Sequence, residues 1–373
     1  ADAADLLMRA ARGAGAPDGV IQVVREPTLP FVERLMTDAR VDLVLATGGP
    51  AVVAAAYRSG HPALGVGPGN APVFVHESAD PAEAARRIVA SKSFDNSVLC
   101  TSESVVLAHE PIADRLVAAL RAAKAHVLRP EEAERLRGVL WDAGGGFNVE
   151  GALGKDAVTI ARLAGIAAPA GTLVLVAPID RVGPEEPFAR EKLAPVLGFA
   201  RVADAARAAA AARAMMRSAG RGHSAAFHGS DEAALMTFAA ATPALRVAVD
   251  VPLSQGAAGF GTHLGPTMTV GTGFAGGSAL GANLGPQHLV NWTEVAFAAE
   301  AALPAGLSGR DPWRSRPVPA EAAPIPFSQG NPPGGPAGAV AAGGPGDGGD
   351  LAGLRAEIRQ LVLEELRAAL EAA

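Results

Sequence analysis

Hydrophobic positions in the first part of the chain alternate between helical and strand-like spacing. Leu6, Leu7 and Ala11 share one helical face, and the short apolar run Val20–Val24 predicts a strand. The run Val41–Ala46 is apolar apart from Asp42, which is typical of a parallel strand that is buried on both faces. This alternation of helices and strands predicts an α/β fold.

The alternation continues through the middle of the chain. Asp80 is a suitable N-cap for a helix, with Pro81 at the first helical position and Glu83 placed to complete a capping box. The pattern also predicts helices at about 31–36, 51–60, 81–94, 111–123 and 204–217, and strands at 104–108, 172–177 and 247–251.

The composition changes near Pro304. Residues 304–350 are rich in Pro, Gly and Ala and lack periodicity, so we expect a disordered linker. Residues 351–373 follow Asp350, a suitable N-cap, and predict an amphipathic helix. Such a tethered helix needs a surface to bind, either another protein or a second copy of itself.

Composition and charge exclude several classes of protein. The 373 residues carry a net charge of -6 and no basic tract, which argues against a nucleic-acid surface. No uninterrupted apolar run is long enough for a membrane span, and one cysteine makes neither an intramolecular disulfide nor a zinc site. We therefore expect a cytoplasmic protein without a metal. The chain opens inside a helical pattern and without Met, which suggests the remainder of a longer protein.

The single cysteine, Cys100, lies in a predicted turn between a helix and an apolar strand. A thiolate is the nucleophile that attacks a carbonyl, and backbone amides near helix ends lower the pKa of a thiol. The alternative is that Cys100 is a small core residue.

Two glycine turns are candidate cofactor sites. Thr47, Gly48 and Gly49 follow an apolar strand and precede a helix, an arrangement that suits a nucleotide phosphate or a nicotinamide ring. The segment GVGPGN contains Gly67, Pro68 and Gly69, and its glycines allow the backbone to approach a ligand closely. Either segment also fits a purely local turn.

Three further residues carry titratable groups in suggestive positions. Glu191 opens EKLAPVL and is a candidate for holding a ribose hydroxyl, unless it is a solvated helix-end glutamate. His223 and His228, in GHSAAFH, are candidates for acid-base work. A structural role for either histidine is the alternative.

Taken in order, these segments resemble the aldehyde dehydrogenase superfamily, and specifically its coenzyme-A-acylating branch. The resemblance extends from about Ala1 to Phe297, and the segment that begins GTGFAGGSALGANLGP is similar to the acylating half of bifunctional aldehyde/alcohol dehydrogenases. It lacks the N-terminal part of the family. The segments that carry it are ATGGPAVVAAAYRSGHPALGVGPGNAPVFV, SKSFDNSVLCTSESVV, EKLAPVLGF, GHSAAFH and GTGFAGGSALGANLGPQHLVN.

The resemblance implies a partial Rossmann-type cofactor domain (1–76) and an α/β catalytic domain (77–303). It implies that Cys100 is the nucleophile and that His223 assists deprotonation of a thiol. The implied cofactor residues are Thr47, Gly48, Gly49, Gly67, Pro68, Gly69, Glu191 and Pro195. Hydrolytic members carry a glutamate where Val66 lies in this chain, so no carboxylate is available there to activate water.

The implied activity is oxidation of a short aliphatic aldehyde, such as acetaldehyde or propionaldehyde, to acyl-CoA, with NAD (NADP is not excluded) and coenzyme A. Residues 351–373 resemble the encapsulation peptides of bacterial microcompartment enzymes, which implies shell proteins as partners and a location in the microcompartment lumen. A homo-oligomer is usual in the family. The alternatives are a hydrolytic or phosphorylating aldehyde dehydrogenase, and a truncated, non-catalytic module that binds shell or cargo.

Overall fold

The computed structural model describes residues 2–142 and 144–298, and they form an α/β fold as predicted. The chain divides into two compact units, Ala1–Thr293 and Glu294–Ala373. Of the second unit only residues 294–298 are described, and they lie in neither a helix nor a strand. The predicted linker (304–350) and amphipathic helix (351–373) fall outside the described residues.

Helices and strands alternate along the first unit. The α-helices are α1 (Asp2–Gly13), α2 (Leu29–Met36), α3 (Pro50–Arg58), α4 (Pro81–Ser93), α5 (Glu110–Ala122), α6 (Pro130–Leu140), α7 (Val149–Ala152), α8 (Ala157–Leu163), α9 (Ala205–Met215), α10 (Glu232–Ala241) and α11 (Leu253–Gly256). The strands are β1 (Val44–Thr47), β2 (Ala63–Val66), β3 (Ala71–Val75), β4 (Glu103–His109), β5 (Ala125–Val127), β6 (Val174–Pro178), β7 (Val196–Val202), β8 (Ser224–His228) and β9 (Arg246–Val249). Among the described residues, no helix combines the length and the apolar character that crossing a membrane requires.

The start of α4 agrees with the predicted cap but not with the full capping box. The Asp80 carboxylate accepts hydrogen bonds from the backbone N–H groups of Ala82 (2.8 Å) and Glu83 (3.3 Å). The Glu83 carboxylate pairs with the Arg86 guanidinium (2.7 Å) instead of the backbone of Asp80. The reciprocal half of the box is therefore absent at this helix.

The main sheet is seven-stranded, in the order β5-β6-β7-β4-β3-β8-β9, and all its neighbouring strands pair in parallel. Alternate side chains of β3 enter different cores: Phe74 packs with α6, α8 and α9, whereas Val73 and Val75 pack with α4 and α5. Helices thus cover both faces, which explains why the middle residues of the central strands are apolar.

The small sheet of β1 and β2 corrects two predictions. Strand β1 is covered on one face only, because Leu45 is 44% exposed whereas Val44 and Ala46 are buried. No strand forms at Val20–Val24, where the three valines are 40–51% exposed. A strand needs a hydrogen-bonded neighbour, and β1 pairs only with β2 among the described residues. An apolar run without a partner strand stays irregular.

The short connection 67–70 joins the carboxyl end of β2 to the amino end of β3. It therefore links the carboxyl edge of the small sheet to the amino edge of the seven-stranded sheet. The predicted division at residues 76 and 77 stays a prediction, and β3 belongs to the seven-stranded sheet.

Candidate active site

Most of the predicted catalytic and cofactor residues precede strands of the main sheet. Gly69 precedes β3, Cys100 precedes β4, Glu191 and Pro195 precede β7, and His223 precedes β8. Because the strands are parallel, their amino ends meet at one edge of the sheet. The fold therefore gathers at this edge segments that lie far apart in sequence.

The two glycine turns meet at the carboxyl ends of β1 and β2. Thr47 lies opposite Val66 in the register, and the Gly48 N–H donates to the Val66 carbonyl (3.1 Å). Gly49 is the N-cap residue of α3 and has no side chain that could accept a hydrogen bond from the first turn. A cavity of about 280 Å³ opens here, with Tyr57, Gly67 and Pro68 in its wall. The second predicted turn therefore borders this open space, whereas from the first turn only the following residue, Pro50, lines it.

Gly69 lies against both the backbone of Cys100 and the carboxylate of Glu191. Its N–H donates to Glu191 Oε1 (2.8 Å). A Cβ atom at this position would stand 2.0 Å from the Cys100 carbonyl oxygen and 3.3 Å from Glu191 Oε1. Only glycine allows this approach to the Cys100 carbonyl, whereas close approach of the turn to a ligand stays a prediction.

The turn that carries Cys100 is built by local backbone conformation and long-range anchors. Asp95, Asn96 and Ser97 all have positive φ, between 47° and 65°. The Asn96 side-chain amide donates to the Gly154 carbonyl (3.0 Å), and the Thr101 hydroxyl donates to the Ser254 carbonyl (2.9 Å). These bonds offset the cost of the left-handed backbone and hold the turn in one conformation.

The expectation that the turn lowers the pKa of the thiol is wrong. Burial and the nearby Glu191 carboxylate raise the pKa of Cys100 to about 11, despite hydrogen bonds from the N–H groups of Cys100 and Thr101 and the positive charge of Arg246. Burial likewise raises the pKa of Glu191 to about 7. The resting thiol is therefore protonated at neutral pH.

Glu191 is not the solvated helix-end residue of the alternative interpretation. It lies between a 3₁₀ turn (Pro187–Ala189) and β7, half-buried and bonded to Gly69. Pro195 is buried, and its carbonyl accepts a hydrogen bond from the Leu175 N–H (2.9 Å). This bond ties the segment after Glu191 to β6. At the other predicted position, Val66 is buried at the end of β2.

His223 is buried at the amino edge, and its imidazole is neutral. Burial, and secondarily the Arg246 charge, lower the pKa of His223 to about 3. Its Nδ1 lies 3.1 Å from the Ser224 hydroxyl, whereas Nε2 is buried without a partner among the described residues. The Arg246 guanidinium donates to the His223 carbonyl (2.9 Å) and also to the carbonyls of Gly271 and Gly281. Arg246 thus ties this histidine to the glycine-rich segment.

The other histidine of the motif, His228, does not join the site. It ends β8, five residues from His223 and roughly 16 Å away along an extended strand. Its Nδ1 lies 3.3 Å from Asp250 Oδ1. At the same carboxyl edge, ligand atoms of His76, Glu77 and His109 lie within 4.8 Å of one another. The expectation of no metal stays a prediction.

Three buried charged residues near the cysteine were not identified from the sequence: Lys92, Glu103 and Lys192. Lys92 donates to the Lys192 carbonyl (3.2 Å), and Lys192 donates to the carbonyls of Phe188 (2.6 Å) and Arg190 (2.7 Å). Burial lowers the pKa of Lys92 to about 7 and raises the pKa of Glu103 to about 7. A charged residue at the start of an apolar strand, as in SESVVLA, was the available signal for Glu103.

Comparison with known proteins identifies this arrangement. The model of the aldehyde dehydrogenase family matches residues 3–261. An aldehyde-alcohol dehydrogenase of Clostridium acetobutylicum is 37% identical over 306 residues, which are 81% of this chain and 35% of that protein. The chain therefore spans about a third of the length of the aldehyde-alcohol dehydrogenases that it matches.

Solved structures agree with the sequence comparison. An acetylating aldehyde dehydrogenase from Geobacillus thermoglucosidasius superposes with a TM-score of 0.77 at 37% identity, over 82% of this chain and 67% of that one. A propionaldehyde dehydrogenase from the fucose utilisation bacterial microcompartment of Clostridium phytofermentans superposes with a TM-score of 0.67 at 31% identity, over 74% of this chain and 63% of that one. The chain belongs to the aldehyde dehydrogenase family and is similar to acylating members of it.

Proposed function

We propose that the protein oxidises a short aliphatic aldehyde to its coenzyme A thioester with NAD(P) as hydride acceptor. The net reaction is aldehyde + CoA–SH + NAD(P)⁺ → acyl-CoA + NAD(P)H + H⁺. The observation that carries the proposal is the contact between Gly69, Cys100 and Glu191 in a chain with Val66, not a carboxylate, at the end of β2. Similarity to acetylating relatives supports the same chemistry.

Cys100 is the nucleophile in this proposal. Its thiolate attacks the aldehyde carbonyl carbon to form a hemithioacetal, and loss of a hydride converts the hemithioacetal to a thioester on the sulfur. When bound, NAD(P) accepts that hydride. The coenzyme A thiol then attacks the thioester carbon after losing its proton, and the Cys100 thiolate leaves. Acyl-CoA is released and the sulfur is restored.

The residues at the glycine turns fit a nicotinamide cofactor. The cavity beside Gly67 and Pro68 is open, and a Cβ atom at Gly49 would meet nothing within 4 Å, so a flat ring has room against the turn. The Glu191 Oε1 atom accepts from Gly69, which leaves its second carboxylate oxygen to accept from a ribose hydroxyl. The Nε2 atom of His223 has no hydrogen-bond partner among the described residues, and we propose that it accepts the proton of the attacking coenzyme A thiol.

Val66 occupies the position at which hydrolytic members carry a glutamate, and this residue supports acylation over hydrolysis. A thioester persists when no general base is aimed at water, and coenzyme A then becomes the acceptor. A hydrolytic enzyme would instead need a carboxylate at that position. A non-catalytic module is the second alternative, and the presence of both Cys100 and Glu191 argues against it.

We propose in addition that the protein is a homo-oligomer and cargo of a bacterial microcompartment. Residues 351–373 resemble an encapsulation peptide, with an apolar face that includes Leu354, Ile358 and Leu361. Similarity to a propionaldehyde dehydrogenase of a microcompartment supports this location. Confinement of a volatile aldehyde is the physical advantage of such a compartment.

The central test is formation of NADH from propionaldehyde with and without coenzyme A. We expect formation to require coenzyme A and to be lost in Cys100→Ala, because the thioester forms on that sulfur. Steady turnover without any thiol would assign the protein to the hydrolytic branch. Lack of NADH formation across several aldehydes, in the presence of coenzyme A, would favour the non-catalytic module.

A second prediction concerns the charge next to the thiol. Glu191→Gln removes a carboxylate that raises the pKa of Cys100, so we expect iodoacetamide to alkylate Cys100 faster, about tenfold for each unit by which the pKa falls. Since the pKa of Glu191 is about 7, its carboxylate is neutral at lower pH. The two proteins should therefore react alike below pH 7 and diverge above it.

The alkylation experiment has a direct control. Cys100 is the single cysteine of the chain, so all modification reports on it. Glu186→Gln changes a nearby glutamate that pairs with Arg137 (3.1 Å) instead of facing the thiol, and it should leave the rate unchanged. Equal rates for Glu191→Gln and the unmodified chain at pH 9 would contradict the prediction.

A third prediction tests the contact at Gly69. Gly69→Ala forces a methyl group against the Cys100 carbonyl, so the free energy of unfolding in urea should fall by about 1–3 kcal/mol. Gly67→Ala is the matched control, because a Cβ there would meet its nearest atom at 3.9 Å. The control should lose much less stability, and equal urea midpoints for the two variants would contradict the geometry.

The proposed location has its own test. A fluorescent protein fused to residues 351–373 should concentrate in the particles formed by co-expressed microcompartment shell proteins. Charges on the apolar face, as in Leu354→Glu with Leu361→Glu, should disperse it. Diffuse fluorescence of the unaltered fusion would contradict the encapsulation role.

A further inference from the structure

A second cavity, of about 210 Å³, adjoins the cofactor turn. It shares Pro50, Gly67, Pro68 and Gly276 with the cavity described above, and its other side is formed by the turn that follows α9. That turn contributes two arginines, Arg217 and Arg221, and no carboxylate lines the cavity.

The two arginines carry charges that the described part of the chain does not compensate. Both are exposed, and neither forms a hydrogen bond or an ion pair through its guanidinium with any described residue. Arg213, on the preceding helix, donates instead to the Ala241 carbonyl (2.9 Å). The chain as a whole is acidic, with a net charge of -6, so these two cations at one cavity stand against the sign of its overall charge.

The backbone between the arginines adds further donors. The N–H groups of Ala219, Gly220 and Arg221 donate to no carbonyl among the described residues. Gly220 and Gly222 have positive φ, 88° and 75°, a backbone region that anion-binding nests also use. Guanidinium and N–H groups together form the donor set that binds phosphate.

We propose that Arg217, Arg221 and the turn between them bind a phosphate group of coenzyme A. This assignment rests on the proposed function, and it deepens that function by naming the part of the co-substrate that the cavity recognises. The first cavity then takes the nicotinamide side of the reaction, and the second takes the acyl acceptor. The phosphates of NAD(P) share this chemistry, and the experiment separates the two sources.

A purely structural role for Arg217 makes a different prediction. Arg217 lies just beyond the carboxyl end of α9, where a positive charge stabilises the helix dipole. In that case Arg217→Ala lowers the urea midpoint and leaves the affinity for coenzyme A unchanged. If Arg217 binds phosphate, Arg217→Ala instead lowers the affinity for coenzyme A and changes the urea midpoint little.

The test measures binding to the full chain by titration calorimetry, without turnover. In Arg217→Ala with Arg221→Ala, the Kd for coenzyme A should rise about tenfold or more, since hydrogen bonds to charged groups are lost. The Kd for pantetheine, which lacks phosphate, should not change. Arg207→Ala is the matched control, because it removes an exposed arginine from the first turn of the same helix, roughly 15 Å from Arg217.

Each outcome has a defined meaning. Loss of affinity for coenzyme A and its dephosphorylated form alike assigns the pyrophosphate, and loss for coenzyme A alone assigns the 3′-phosphate. An effect on NAD or NADP but not on coenzyme A overturns the assignment to the acyl acceptor. Equal Kd values in the variant and the unmodified chain, or no binding by the unmodified chain at millimolar coenzyme A, overturn the site. Arginine-dependent binding without NADH formation would contradict the proposed function and leave the site intact.

Discussion

The parallel pairing of the seven-stranded sheet is the constraint on which the candidate site depends. Its strands are buried on both faces, so a shift of register by one residue would exchange the two cores that flank Phe74 and Val73. The amino ends of the strands are therefore held in fixed relation to one another. The turn at Gly69, the Cys100 turn and the Glu191 segment inherit their positions from this packing, because each leads directly into a strand.

Several charged residues are buried at the amino edge of the sheet. Moving an ammonium or a carboxylate out of water is costly unless the group is hydrogen-bonded or neutralised. Lys192 is satisfied by carbonyl groups, while burial moves the pKa of Lys92 down and that of Glu103 up, each to about 7. Cys100 shares this environment, since burial and the Glu191 carboxylate raise the pKa of its thiol to about 11.

The comparison of prediction and structure separates local from long-range effects. The α4 cap at Asp80 follows its local signal, since capping acts over three residues. The run Val20–Val24 has the composition of a strand but no neighbour to pair with, so it stays irregular and exposed. Lys92 and Glu103 were not predicted as site residues, because the sequence places Lys92 in a helix and Glu103 at a strand without showing that the fold buries both.

The sequence by itself determined the α/β alternation, the family and the order of the segments that carry the candidate chemistry, because periodicity, caps and motifs are properties of neighbouring residues. Tertiary structure alone decided that His223 and Cys100 lie at the same edge of the sheet whereas His228 lies at the opposite edge, that burial raises the pKa of the Cys100 thiol, and that Arg217 and Arg221 border a cavity. These outcomes depend on burial and on charges from distant segments. Gly69 and Glu191, which are 122 residues apart, share one hydrogen bond only because the chain folds.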